Sequence, residues 1–186
     1  TLATHHRARM QAHLSVCGDC RAYVAQFEPT IAVTRRTDGD PLLTVSSDDR
    51  DRGRSYVIET DGRVVATVLP HRTAIIGQHA GQVIAYHGST TDWEVSGQVV
   101  KSGSIIAIPR ADITSASPTV RIVFEPRERE SLPGSGLGIT SSGLVAAINE
   151  NVRGRLACFT FDGNQWIRRD VPLPDHGAII LKASDA

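Results

Sequence analysis

Three side chains near the start of the chain have the types and the spacing to bind one metal ion: His13, Cys17 and Cys20. On a helix, His13 and Cys17 lie four positions apart and stack on one face, so an imidazole nitrogen and a thiolate can converge. Cys17-Gly18-Asp19-Cys20 leaves two residues between the sulfurs, a spacing at which both reach one tetrahedral centre at about 2.3 Å. Thiolate and imidazole donors select zinc over calcium or magnesium, which take oxygen. The plain alternatives are two small buried thiols beside a surface histidine, or a redox pair. The histidine one helical turn before the first thiol, and the turn-forming Gly18-Asp19 between the thiols, favour the metal.

The string Ala12-His13-Leu14-Ser15-Val16-Cys17-Gly18-Asp19-Cys20-Arg21-Ala22-Tyr23 resembles the His-x-x-x-Cys-x-x-Cys signature of the zinc-binding anti-sigma factor family, and the preceding Arg7-Ala8-Arg9 is similar to family members. The resemblance implies that His13, Cys17 and Cys20 are zinc ligands and that the N-terminal helices sequester a sigma factor. The chain would then be a transcription regulator of the cytoplasm, not an enzyme, with Zn2+ as its cofactor and a C-terminal β domain that senses or docks a ligand. In that family the fourth zinc ligand comes from an earlier helix. Its place here would lie before Thr1, and the chain opens inside what reads as a structured element, so a longer natural N-terminus is expected. His5 and His6 are the local substitutes, but His6 to His13 is about 10 Å of helix rise, too far for one ion unless the helix starts after His6.

The elements around this site divide the chain. Met10, Leu14 and Cys17 share one face of a helical stretch from about His6 to Phe27, and Pro29 discourages its continuation. Residues 1–28 are therefore expected as a helical zinc-binding segment. Residues 29–54 are rich in Thr, Asp, Arg, Gly and Ser, with the mixed-sign run Asp48-Asp49-Arg50-Asp51-Arg52, and read as a solvated linker. Residues 55–186 change to extended periodicity. Tyr56 to Thr60, then Asp61-Gly62, then Arg63 to Val68 is a hairpin signal, because Asp-Gly tolerates the positive φ of a type I′ turn. Further strand candidates are Thr73 to Ile76, Gln82 to Tyr86, Trp93 to Val100, Ser104 to Ile108, Val120 to Glu125, Leu144 to Ile148 and Arg155 to Phe161. Asp162-Gly163 leads to Gln165 to Val171, and Ala178 to Lys182 closes the set. The fold class is mainly β: a short helical knuckle followed by an all-β sandwich- or barrel-like domain. A propeller is disfavoured, since a complete one needs four or more blades.

Composition removes several other functions. Twenty basic residues balance 20 acidic ones, so there is no general basic field for nucleic acid. The apolar run Leu144 to Ile148 is far shorter than the roughly 20 residues of a membrane helix, and no leader peptide is expected. Cys158 is the third cysteine, and an odd count with one tight pair argues for a metal site in a reducing compartment. Gly134-Ser135-Gly136-Leu137-Gly138 imitates a phosphate loop but precedes strand-like residues instead of a helix, so an inter-strand loop is expected. His71, His79 and His87 recur with no carboxylate or cysteine at ligand spacing, which disfavours a second metal. Cys158 reads as a packed strand thiol, and Trp93 and Trp166 as core anchors. Were the tryptophans exposed stacking platforms, the chain would instead be a ligand- or carbohydrate-binding β module with a helical partner-docking leader.

Overall fold

The computed structural model describes residues 30–34, 42–47, 54–59, 62–133, 136–173, 179 and 181, the first two stretches as backbone. Its strands form three sheets that follow one another along the chain, with a two-stranded ribbon inserted in the second. The first sheet is β1 (Thr30–Thr34), β2 (Leu42–Ser47), β3 (Arg54–Ile58) and β4 (Val64–Ala66), neighbours in chain order. The second joins β5 (Thr73–His79), β6 (Gln82–His87), β9 (Ile105–Pro109) and β10 (Arg121–Phe124), again in chain order. Between β6 and β9 stands the ribbon β7 (Trp93–Val95) and β8 (Gln98–Val100). In the third sheet β11 (Glu130–Ser131) and β12 (Leu137–Thr140) both pair with β13 (Gly143–Glu150), followed by β14 (Arg153–Phe161) and β15 (Trp166–Val171).

The middle sheet explains why β6 and β9 read as almost continuous apolar runs. Alternate side chains of a strand point to opposite faces, and here both faces are covered. Val83, Ala85, Ile106 and Ile108 enter a core completed by Val57 of β3. Ile84, Ile105 and Ala107 enter a second core with Leu144, Ile148 and Phe159 of the third sheet. All of these side chains are essentially inaccessible. At about 25 cal/mol per Å² of apolar surface, burial on two faces makes this sheet the main source of cohesion.

These are three layers with open edges, not the two-sheet sandwich or closed barrel expected. The expectation followed from strand signals alone, which report the period of a strand but not how many sheets share a face. Two strands, β1 and β2, fall within 29–54, the stretch read as linker. Their short Thr-Ile-Ala-Val-Thr and Leu-Leu-Thr-Val-Ser-Ser runs were outweighed in the sequence by the charged residues beside them. The expected single strand Trp93 to Val100 is instead a hairpin, turned by Ser96 and Gly97 with φ of +49° and +77°. The helical segment expected over 1–28 lies outside the described residues.

Two of the hairpin turns follow the expected rules. Ala80-Gly81 and Ser96-Gly97 are two-residue turns with positive φ at both positions and glycine second. Between β13 and β14 the same turn is Asn151-Val152, with φ of +49° and +68°. A β-branched residue in this region is an outlier, and Val152 is fully exposed. Gly143 shows the opposite situation. It has φ +149°, and a Cβ there would lie 2.1 Å from the Phe159 carbonyl oxygen. The β13–β14 ladder can approach this closely only without a side chain.

Replacing Gly143 with alanine should therefore cost about 3 kcal/mol in urea unfolding, as an overpacked core does. Gly138→Ala on β12, where a Cβ meets nothing within 4 Å, should change stability by less than about 0.5 kcal/mol. Equal losses in both variants would refute the steric argument.

Candidate functional site

The residues singled out in the sequence scatter. His13, Cys17 and Cys20 lie outside the described residues. Among the described residues no three of His, Cys, Asp and Glu are grouped to hold a metal ion. His79 packs on Trp166 with ring centres 5.7 Å apart, and His87 on Trp93 at 6.3 Å, so these histidines serve different parts of the fold. Both tryptophans pack against the cores, Trp93 on the first and Trp166 on the second. Cys158 is half-buried on β14, and the alternation of the strand turns it away from the face carrying Ala157 and Phe159. The glycine-rich stretch ends against β13: the Gly136 N–H donates to the Pro133 carbonyl at 2.8 Å, and its own carbonyl accepts from Ala147 at 2.7 Å. Its last two residues, Leu137 and Gly138, already belong to strand β12, so a strand and not a helix follows the turn.

The described residues form a charged pocket of about 490 Å³ at one end of the third sheet, lined by Arg127, Glu130, Glu150, Arg155, Arg168 and Asp170 beside the apolar Leu156, Val171 and Leu173. Its floor is the buried carboxylate of Glu130. Arg168 donates from Nη1 and Nη2 to Glu130 Oε1, each at 3.3 Å, and the Arg127 backbone N–H donates to Oε2 at 3.2 Å. Arg168 also donates from Nε to Asp170 Oδ1 at 2.7 Å, and its guanidinium lies 5.8 Å from the Phe124 ring centre. Arg155 Nε donates to Glu150 Oε2 at 3.3 Å. Burial opposes the charge on Arg168, but Asp170 and Glu130 outweigh it and hold its pKa above the ordinary guanidinium value. Three guanidiniums and three carboxylates leave the lining without net charge, able to meet a ligand that carries both signs. The Arg168–Glu130 pair spans 38 residues of sequence, which is why no local pattern announced it.

A hydroxyl–imidazole pair lies deeper, in the middle sheet. Thr73 Oγ1 is 3.0 Å from His87 Nδ1, and His87 Nε2 is 3.0 Å from the Thr91 carbonyl. A carbonyl only accepts, so Nε2 carries the hydrogen and Nδ1 accepts from the Thr73 hydroxyl. The Ser55 hydroxyl donates to the Thr73 carbonyl at 3.1 Å, tying β3 to β5. The atoms stand as a nucleophile and base would, but Thr73 and His87 are 3% and 1% exposed. With no access to a substrate carbonyl, the pair braces the sheets.

A third cluster lies between the second and third sheets. Gln82 is the cross-strand partner of His79 at the β5–β6 turn, and both are buried. Trp166 packs against His79 and, at 5.4 Å between ring centres, against Phe161. Gln82 Oε1, Gln82 Nε2, His79 Nδ1 and Trp166 Nε1 are buried with no hydrogen-bond partner among the described residues. At about 1–3 kcal/mol for each unsatisfied buried group, four such atoms would cost on the order of 4–12 kcal/mol. That is comparable with the roughly 5–15 kcal/mol net stability of a whole domain.

No family model matches this chain. Over 98 residues, half of the chain, it is 28% identical to an uncharacterized peptidase of Rickettsia prowazekii, of which it spans 13%. A solved structure, a post-proline cleaving enzyme from Rickettsia typhi, matches 72% of the chain with a TM-score of 0.62 and 21% identity, over 20% of its own length. The chain thus spans a small part of either protein, and the structural match is a likeness of fold.

These findings overturn the reading of the chain as a sigma-sequestering transcription regulator that is not an enzyme: its curated relative is a peptidase, and its fold is shared with one. The error has a physical root. Metal-ligand spacing over a short string of residues reports a donor set, which many proteins can share, whereas these matches extend over half or more of the chain.

Burial is the largest influence on His87 and pushes its pKa below the ordinary imidazole value of 6.5, while the Thr91 carbonyl and Asp92 pull it partly back. The folded chain therefore binds fewer protons there than the unfolded chain. The stability this contributes is complete above about pH 6.5 and is lost as pH falls toward the folded pKa. Thermal melts from about pH 7.5 down to about pH 5 should show a steeper loss for the native chain than for His87→Asn, which cannot titrate. Parallel profiles would mean that His87 is not held neutral.

Proposed function

We propose that this chain is part of a peptidase acting on proline-containing peptides, with its three sheets serving as consecutive blades of a propeller-like β domain. The observation that carries the reading is the 28% identity to a peptidase over half the chain. The likeness of fold to a post-proline cleaving enzyme agrees with it, as does the architecture: successive antiparallel sheets of four, four and five strands, packed face to face, are of the kind that builds a propeller. The pocket of Arg127, Glu130 and Arg168 is the surface best suited to a peptide. Its paired charges offer donors to carbonyl groups and acceptors to N–H groups and a terminal ammonium.

The test is hydrolysis by the full polypeptide that carries these sheets. A Gly-Pro anilide should release its chromophore at least tenfold faster than the Gly-Ala analogue. Arg127→Ala should raise KM about threefold or more with kcat little changed, the mark of lost ground-state binding. Equal rates on the two substrates, or no cleavage of either, would end this assignment.

The His13, Cys17 and Cys20 spacing supports a separate proposal, a zinc ion held by the segment before the sheets. Mass spectrometry under native conditions should find one zinc per chain and none in Cys17→Ser. Metal-free native protein, purified without chelator, would count against it.

A further inference from the structure

We propose that the seam between the second and third sheets is a hydration site, in which internal water bridges Gln82 and His79 of the middle sheet to Trp166 of the third. The proposal does not depend on the peptidase reading. It starts from the four atoms that have no partner among the described residues, on side chains drawn from two facing sheets. Gln82 and His79 are 4% and 6% exposed, so bulk solvent does not reach them.

The chemistry of these atoms identifies the ligand. The Gln82 amide presents two N–H donors on one atom and an acceptor oxygen on the other, the Trp166 indole only donates, and a neutral imidazole offers one donor and one acceptor nitrogen. An anion would satisfy the Trp166 N–H and the Gln82 amide N–H but would repel the Gln82 oxygen. A cation would do the reverse. Arg121 lies over the Phe161 ring, 5.8 Å from its centre, and stays with that contact. A neutral molecule that donates and accepts at once fits every atom, and in a closely packed seam the smallest such molecule is water. Buried waters in proteins typically make about three hydrogen bonds to polar groups otherwise left unpaired.

Such water would add a polar tie between two sheets already joined here by apolar packing and by Arg121 over the Phe161 ring. Ile139 of β12 already presses on Gly77 of β5, where an added Cβ would fall 2.6 Å from its terminal carbon. The seam is therefore closed beside the site, and bound water would exchange only when the sheets part.

The experiment uses the indole N–H of Trp166, one of two tryptophan indoles in the chain and assigned by its loss in Trp166→Phe. In the native protein this proton should show a dipolar cross-peak at the water frequency, told from chemical exchange by its opposite sign in the rotating frame. Gln82→Met should remove that cross-peak and lower the melting temperature, because the water loses its anchor and leaves Trp166 and His79 unpaired. Absence of the cross-peak in the native chain would overturn the proposal. A Gln82→Met chain that melts higher would do so as well, since it would mean that the amide had stood in a dry seam. Should that variant not fold, the native spectrum decides alone.

Discussion

Burial of the middle sheet on both faces is the constraint from which most other features of the molecule follow. An antiparallel sheet commonly keeps one face for water; β6 and β9 keep neither. Every side chain on these strands must then be apolar or find an internal partner, because an unpaired polar group inside the fold costs more than its own hydrogen bond would contribute. Val83, Ile84, Ile105 and Ile106 meet the first condition, and His87 meets the second through Thr73 and Thr91. The Gln82 side chain, with His79 opposite it on β5, has no partner among the described residues.

The same constraint sends ionic groups to the ends of the sheets. Glu130 is the buried carboxylate of the charged pocket, and Arg168 reaches it from β15, on the far edge of the third sheet. Pairing with Arg168 and with the Arg127 N–H offsets the cost of burying its charge. A pocket built this way presents both signs of charge beside the apolar surface of Leu156 and Leu173.

Hairpin turns carry a second regularity. Where both residues of a two-residue turn take positive φ, glycine holds the second position at Gly81 and Gly97, and Val152 departs from this at the tip of β13–β14. The left-handed region costs an L-residue roughly 1–2 kcal/mol, and a fully exposed valine recovers none of it inside this chain. The long β13–β14 ladder, paired from Leu144↔Phe159 to Glu150↔Arg153, is what holds the turn in place. Tertiary pairing here overrides local preference.

The amino-acid sequence by itself determined most of the strands from β3 onward, because alternation, β-branched content and the Asp-Gly pairs act over a few residues. It was enough to read β3 with β4 and β14 with β15 as hairpins, and Trp93 and Trp166 as core residues. Only the tertiary structure decided how those strands share their faces. Whether Ile84 and Val83 enter one core or two depends on which sheets lie above and below, and that is set by contacts between distant segments. For the same reason the pairing of Glu130 with Arg168, the neutrality of His87 and the meeting of Gln82 with Trp166 left no trace in local spacing. The motif most legible in the sequence, His13 to Cys20, described a donor set and nothing of the fold that follows it. Local chemistry is written in neighbouring residues, whereas burial and charge pairing arise only when remote ones are brought together.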